Sequence, residues 1–176
     1  MFSLIFPGQG SQTVGMGKEF YEKFDRVKNI FNKADEVLNF PIKKLILEGP
    51  KDQLDLTENT QPAIFLVGYS IFTLLTKEFA FDDTKVKFFA GHSLGEYTAL
   101  TSAGFLNFDE TLAVLKKRGQ AMQSSVPKGE GGMIAVLGSK IEFIENLLKE
   151  NASKYECFIA NDNSEGQIVL SGKTED

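Results

Sequence analysis

The sequence is short of the residues that make covalent and metal-bound cross-links: of 176 residues, one is cysteine and one is histidine. A lone Cys157 cannot close an internal disulfide, which suits a reducing compartment. It lies in the apolar run Tyr155-Glu156-Cys157-Phe158-Ile159, where a buried structural thiol is expected rather than a reactive one. Long apolar runs are lacking too. The most apolar stretch, Ala63 to Leu75, falls short of the roughly 20 residues needed to cross a bilayer. The opening Met1-Phe2-Ser3-Leu4-Ile5-Phe6 has no basic residue, and Pro7-Gly8 ends it too early for a secretory leader. Basic residues are in deficit. The 19 Lys and Arg against 24 Asp and Glu give a net charge of -5, which argues against a broad nucleic-acid surface. Internal repeats and low-complexity tracts are absent. What remains is a cytoplasmic protein with neither a nucleic acid nor a membrane as partner.

What is present is ordinary globular material. The chain is 42% hydrophobic and 24% charged, enough apolar substance for a real core. Its length fits one domain or a piece of a larger one. Ser3 to Phe6 reads as a short buried strand stopped by Pro7-Gly8. Phe20, Phe24, Val27, Phe31, Ala34 and Leu38 recur at steps of four and three, the stripe of one amphipathic helix that Asn39-Phe40-Pro41 ends. Pro62 is placed to open a second helix, and Ala63 to Leu75 is apolar nearly all round, so that helix should be buried. Val86 to Ala90 reads as a strand running into Gly91, followed by a helix from about Glu96. Another helix should run from Asp109, a good N-cap, to about Ser124.

At Pro127-Lys128-Gly129-Glu130-Gly131-Gly132 the composition shifts, which suggests a linker. Beyond it, Met133 to Leu137 reads as a strand. Ser139 and Glu142 form a capping box for a helix through Glu150. Tyr155 to Ala160 and Gln167 to Leu170 read as two more strands. This places one unit at 1-126 and a second at 127-176. The second stops part-way through a split βαβ pattern, so an unpaired sheet edge is expected there.

Gly91-His92-Ser93-Leu94-Gly95 is a G-x-S-x-G pentapeptide between a strand pattern and a helix pattern, the setting of a nucleophile elbow. Small flanking residues permit the sharp turn. The Ser93 hydroxyl then stands at a helix N-terminus, where free N–H groups favour developing negative charge, that of Leu94 among them. The alternative is a chance pentapeptide in a tight turn. Four blocks occur in order: Phe6-Pro7-Gly8-Gln9-Gly10-Ser11-Gln12, Gln61-Pro62-Ala63, Gly91-His92-Ser93-Leu94-Gly95-Glu96-Tyr97 and Arg118-Gly119-Gln120-Ala121-Met122-Gln123. Together they resemble the malonyl-CoA:acyl-carrier-protein transacylases of fatty-acid synthesis and the related acyltransferase domains of polyketide synthases. Asn161-Asp162-Asn163-Ser164, Gln167 and Ser171-Gly172 look like strands of that family's small subdomain. Family members are considerably longer, so the chain is expected to cover their amino-terminal part.

The resemblance implies an α/β fold: an α/β-hydrolase-like parallel-sheet core with an inserted ferredoxin-like subdomain, both incomplete here. It implies ping-pong transfer of a malonyl group from malonyl-CoA, through an ester on Ser93, to the phosphopantetheine thiol of acyl carrier protein. No metal or resident cofactor is implied, coenzyme A entering as the substrate's thioester. By the family match, the Gln9 backbone N–H is the second oxyanion donor beside Leu94, although Pro7-Gly8 also reads as a plain turn. Arg118 is the residue that would hold the malonyl carboxylate through two parallel hydrogen bonds. The bland reading of Lys116-Lys117-Arg118 is a solvated basic helix end. His92 is too close in sequence to serve as the base of Ser93 and is read as shaping the pocket. Gln61, Met122 and Gln167 are expected to line the acyl or pantetheine channel, with core packing open for Met122 and helix capping for Gln61. The family's base is a histidine downstream of the serine, and none follows Ser93. A carboxy-terminal segment or another chain would supply it. Two other readings stay open: a thioesterase or esterase of the α/β-hydrolase type, and a non-catalytic fragment that binds acyl carrier protein or coenzyme A.

Overall fold

A computed structural model describes residues 2-125 and 129-175. The chain divides into two compact units, Met1–Gln123 and Ser124–Asp176. The boundary expected at 126/127 and the linker residues Pro127 and Lys128 lie outside the described residues. Gly131 and Gly132, expected in that linker, already belong to a strand.

In the first unit, strands β1 (Phe2–Phe6) and β2 (Val86–Gly91) pair in parallel, with Phe6 opposite Gly91. Parallel neighbours require a long crossover. Helices α1 (Lys18–Lys23), α2 (Asp25–Leu38), α3 (Ile42–Glu48), α4 (Lys51–Leu54) and α5 (Thr57–Glu78) fill it. After β2 come α6 (Leu94–Ser102) and α7 (Phe108–Ser124). The main core gathers Phe31 from α2, Ile42 and Ile46 from α3, Phe65 and Leu66 from α5, Leu94 from α6, and Leu112 and Leu115 from α7. A smaller cluster of Leu4, Phe6, Phe72, Phe89 and Ala99 joins the strands to α5 and α6.

Several local expectations give way to tertiary constraints. The stripe from Phe20 to Leu38 is two helices, because Phe24 adopts extended backbone (φ -125°, ψ 117°) between α1 and α2. Its ring packs edge-on against Phe79, 5.8 Å between centroids, and the break preserves the apolar phase. Pro62 lies inside α5 rather than at its start. The helix begins earlier because its first turn is held from outside: Asn59 Nδ2 donates to Gln53 O (2.9 Å), Thr60 Oγ1 to Leu54 O (2.6 Å), and the Thr57 N–H to Gln123 Oε1 (3.3 Å). The remainder of the prediction for α5 holds, with Ala63, Ile64, Phe65 and Leu66 all buried. Helix α6 starts at Leu94 rather than Glu96. The cap of α7 is Asn107, whose Oδ1 accepts the N–H groups of Asp109 (2.8 Å) and Glu110 (3.4 Å), so Asp109 sits within the first turn. Strand β1 is not a buried strand. Its alternation turns Leu4 and Phe6 toward α5 and α6 but leaves Ile5 78% exposed on the other face.

In the second unit, β3 (Gly131–Leu137), β4 (Cys157–Ser164) and β5 (Gln167–Lys173) form an antiparallel sheet in the order β3-β5-β4. Helix α8 (Ile141–Asn151) packs Ile144 with Ile168 and Leu170. The capping box does not form. The N-cap is Lys140, one residue past Ser139, and no side chain caps it. Strand β4 begins later and runs further than Tyr155 to Ala160, and Cys157 is half-buried rather than enclosed.

Helix α7 lies directly on the backbone at the start of α5. A Cβ at Gly119 would fall 2.5 Å from Glu58 Cα and 2.7 Å from Thr57 O. Gly119→Ala therefore gains up to about 1 kcal/mol of helix propensity but forces a clash costing about 1–3 kcal/mol. A lowered urea midpoint is expected, and a raised one would contradict this packing.

Candidate active site

The link between β2 and α6 is two residues, His92 and Ser93. Ser93 has φ 54° and ψ -114°, a region that residues with a side chain enter only when the surroundings hold them there. The glycines on either side account for this. A Cβ on Gly91 would lie 2.0 Å from the Gly95 carbonyl carbon, and one on Gly95 would lie 2.4 Å from Phe6 O. Strand, turn and helix can close this tightly only with glycine at both places. Hydrogen bonds from His92 N to Phe6 O (3.2 Å), Gly95 N to His92 O (2.9 Å) and Glu96 N to Ser93 O (3.1 Å) complete the turn. Leu94 anchors its side chain in the core while its N–H lies in the first turn of α6. Ser93 makes no capping bond with its side chain, so the exposed hydroxyl is not consumed by the helix.

The loop after β1 reaches the same place. A Cβ on Gly8 would fall 2.8 Å from both the carbonyl oxygen and Nδ1 of His92, so this loop lies against the elbow and the imidazole flanks it. Gln9 is exposed, and its Nε2 donates to Thr57 Oγ1 at 3.2 Å.

Arg118 comes to the serine from α7. Its Nη2 donates to Ser93 Oγ at 3.2 Å and its Nη1 to Gln61 Oε1 at 2.6 Å, and its Cζ stands 5.9 Å from the Tyr97 ring centroid. Among the described residues Arg118 forms no ion pair. Its positive charge is held by neutral oxygens and an aromatic face, so it remains available to an incoming anion. The solvated helix-end reading is overturned on two counts. Helix α7 continues to Ser124, and Lys116 turns inward to Asn59 Oδ1 (2.8 Å), Glu58 (3.6 Å) and the Phe40 ring (4.7 Å).

Gln61 is 1% exposed and divides its amide between Arg118 and Met122, donating from Nε2 to Met122 Sδ at 3.1 Å. It stands within α5, past the first turn, so it does not cap the helix. Met122 is 48% exposed, which removes the core-packing reading. Gln167 opens β5 in the second unit, exposed and paired in register with Leu137 and Ser164. Ser93, Leu94, His92, Gln9, Gln61, Met122 and Arg118 thus gather in the first unit.

Sequence reasoning assigned no role to Tyr97 or Thr57. Tyr97 lies in the first turn of α6, one turn beyond the Ser93 N-cap, where its ring meets Arg118. Gly119 in the interior of α7 was the available sign of the close helix crossing. Among the described residues no cluster of His, Cys, Asp and Glu could hold a metal, and no helix is long and apolar enough to cross a membrane. A cleft of about 540 Å³ between α2 and α5, lined by Arg26, Tyr69 and Phe108 among others, includes neither Ser93 nor Arg118.

Comparison with known proteins adds to this geometry. The model of the acyl transferase domain family matches residues 3–176. The malonyl CoA-acyl carrier protein transacylase of Bacillus subtilis is 41% identical over 97% of this chain and 53% of that protein. A crystal structure of acyl-carrier-protein-S-malonyltransferase from Bartonella henselae superposes with a TM-score of 0.93 at 42% identity, covering 99% of this chain and 56% of that one. A type II polyketide acyl-carrier protein in complex with its malonyl-transacylase matches with a TM-score of 0.90 at 36% identity, over 99% and 55% of the two chains. The chain spans about half the length of the curated relatives it matches. The mixed α/β fold is common to this chain and those structures.

The positive φ at Ser93 predicts a stability signature. Ser93→Gly relieves the backbone strain, whereas Ser93→Ala removes the hydroxyl and keeps the strain. The glycine variant should be the more stable of the two by about 1 kcal/mol, the net of strain relief and the entropy cost of glycine. Equal melting curves for the two variants would show that the turn is unstrained.

Proposed function

The chain belongs to the acyl transferase domain family, and from this premise we propose that it carries the nucleophile, oxyanion donors and carboxylate clamp of a malonyl-CoA:acyl-carrier-protein transacylase. The observation that carries this reading is the Arg118 guanidinium, without an ion-pair partner among the described residues, 3.2 Å from Ser93 Oγ. In a malonyl ester on Ser93 the free carboxylate lies only a few bonds from that oxygen, within reach of the guanidinium. An uncharged acyl group has nothing for the arginine to bind, so the arginine supports malonyl over acetyl.

The chemistry follows in two balanced steps. Ser93 Oγ attacks the thioester carbonyl and gives its proton to a base. The carbonyl oxygen takes the negative charge, facing the N–H groups of Leu94 and Gln9. The carbonyl re-forms, the C–S bond breaks, and coenzyme A leaves as the thiol with the proton returned. The phosphopantetheine thiol of acyl carrier protein then attacks the serine ester by the same route, and Ser93 regains its hydrogen. The base would be a histidine outside these 176 residues, since the sole histidine is His92, which flanks the Gly8 loop. His92, Gln61 and Met122 shape the floor and wall beside Ser93.

The parallel pair β1-β2 with α6 springing from the elbow supports the α/β-hydrolase-like core. The order β3-β5-β4 with α8 on one face supports a ferredoxin-like second unit, so the two units are proposed to be parts of the large acyltransferase domain and its small subdomain. We place the activity in the cytoplasm, in fatty-acid synthesis.

Intact-mass spectrometry after exposure to malonyl-CoA tests the core of this reading. A malonyl adduct on Ser93, absent from Ser93→Ala, is expected. No adduct, even when a histidine-bearing segment that supplies the base is joined to the chain, would sink the proposal. Arg118→Ala should lower the preference for malonyl over acetyl thioester by on the order of 10- to 100-fold, the equivalent of about 1.5–3 kcal/mol for a hydrogen bond to a charged group. Equal losses toward both thioesters would show that the arginine does not read the carboxylate.

A further inference from the structure

Ser11 and Gln12, two residues of the loop after β1, hold with their side chains both peptide groups that flank Gln9. The Ser11 hydroxyl donates to Gly8 O at 2.9 Å. The Gln12 Oε1 accepts the Gly10 N–H at 2.8 Å. A trans peptide is planar, and its C=O and N–H point in opposite directions. Holding the Gly8 carbonyl therefore fixes the direction of the Gln9 N–H, because the two belong to one peptide unit. Holding the Gly10 N–H fixes the next unit in the same way.

We propose that Ser11 and Gln12 are positioning residues that aim the Gln9 N–H at the carbonyl oxygen undergoing attack by Ser93. The inference rests on the acyl-transfer reading and deepens it. Gln12 is itself anchored. Its Nε2 donates to Asp55 Oδ1 at 3.0 Å, which fixes the orientation of the amide. The reversed amide would set NH2 against the Gly10 N–H and oxygen against a carboxylate. The Lys51 ammonium and the Gln12 amide, in that order, hold the Asp55 carboxyl below its ordinary range, so it accepts as an anion. Gly10 (φ 107°) supplies the conformation that brings its N–H back to Gln12. Gly8 abuts His92, so the loop cannot relax toward the elbow. A bare oxyanion donor on a free loop would lose its advantage, since the value of such a donor lies in its orientation being set before the reaction.

The Ser11 bond is solvent-exposed and Gln12 is half-buried, so removing either should leave the fold intact. The rate of malonyl adduct formation on Ser93 at saturating malonyl-CoA is the readout, with the chain joined to a histidine-bearing segment that supplies the base, for the unsubstituted protein, Ser11→Ala, Ser11→Thr and Gln12→Leu. Ser11→Ala and Gln12→Leu should each acylate about 10-fold more slowly, a fraction of the 100- to 1000-fold cost of deleting such a donor outright. The malonyl-CoA concentration at half-maximal rate and the melting temperature should be unchanged. Ser11→Thr, which keeps the hydroxyl, should restore the rate. Acylation of Ser11→Ala and Gln12→Leu at the parent rate overturns the inference while leaving the acyl-transfer reading intact. A loss confined to half-saturation, or one matched by a lower melting temperature, also overturns it. No adduct on the unsubstituted protein with the base-supplying segment present removes the acyl-transfer reading and this inference with it.

Discussion

Backbone lies directly on backbone where the first turn of α6 meets the end of β1. Gly95 faces Phe6 O with no space for a methyl group, and Gly91 faces Gly95 in the same way. The contact needs no side-chain chemistry, only the absence of Cβ atoms. It forces the chain to turn within two residues, which drives Ser93 to φ 54° and lifts its hydroxyl clear of the helix cap. It also brings the carboxyl ends of β1 and β2 together, so that both departing loops meet at one point. Open parallel sheets bind ligands at that end for the same reason. Relaxing the approach would free Ser93 to adopt the extended backbone of an ordinary N-cap, and its hydroxyl would turn to the helix N–H groups.

Helix α5 supplies the second half of the site. A Cβ on Gly68 would lie 3.2 Å from Thr98 Cγ2 of α6, and Gly119 of α7 rests on Thr57 and Glu58. From this shared helix Thr57 reaches Gln9, and Gln61 reaches Arg118. One rigid element thus sets the loop, the elbow and the guanidinium in a single frame. The partition of charge on α7 has a physical logic. Lys116 is satisfied by Glu58 and Asn59, whereas Arg118, half a turn later, meets only neutral acceptors among the described residues. Neutral partners satisfy hydrogen-bond geometry without cancelling charge, which leaves the arginine field directed at the serine.

The elbow and both strands of the first sheet were legible in the sequence because their causes are local: a short apolar run, two small residues and a turn. The buried character of α5 was legible for a similar reason, since an all-apolar surface has only one place to go. The break at Phe24 was not, because the apolar phase continues across it and only the distant Phe79 ring reveals why the backbone opens. The start of α5 was hidden by Pro62, whose usual position at the first turn is a preference that hydrogen bonds from the first turn to Gln53, Leu54 and Gln123 override. Asn107 and Asp109 both make good caps, and local chemistry cannot choose between them two residues apart. Arg118 was distinguishable from Lys116 and Lys117 only by family resemblance. Its inward turn depends on Gly119 and Gln61, two residues that periodicity treats as noise.

The resting hydrogen bond from Arg118 to Ser93 Oγ bears on how acyl transfer would proceed. A guanidinium donating to a hydroxyl oxygen stabilises negative charge there, so the same contact lowers the cost of deprotonating the serine. Once the ester forms, that oxygen becomes a weaker acceptor, while a malonyl carboxylate arrives a few bonds away as a stronger one. The arginine would then exchange a neutral partner for a charged one without leaving Gln61, which holds its other nitrogen. Uncharged acyl groups provide no such replacement. Selectivity on this reading arises after attack as well as at binding, because only the malonyl ester compensates the guanidinium for the contact that acylation weakens.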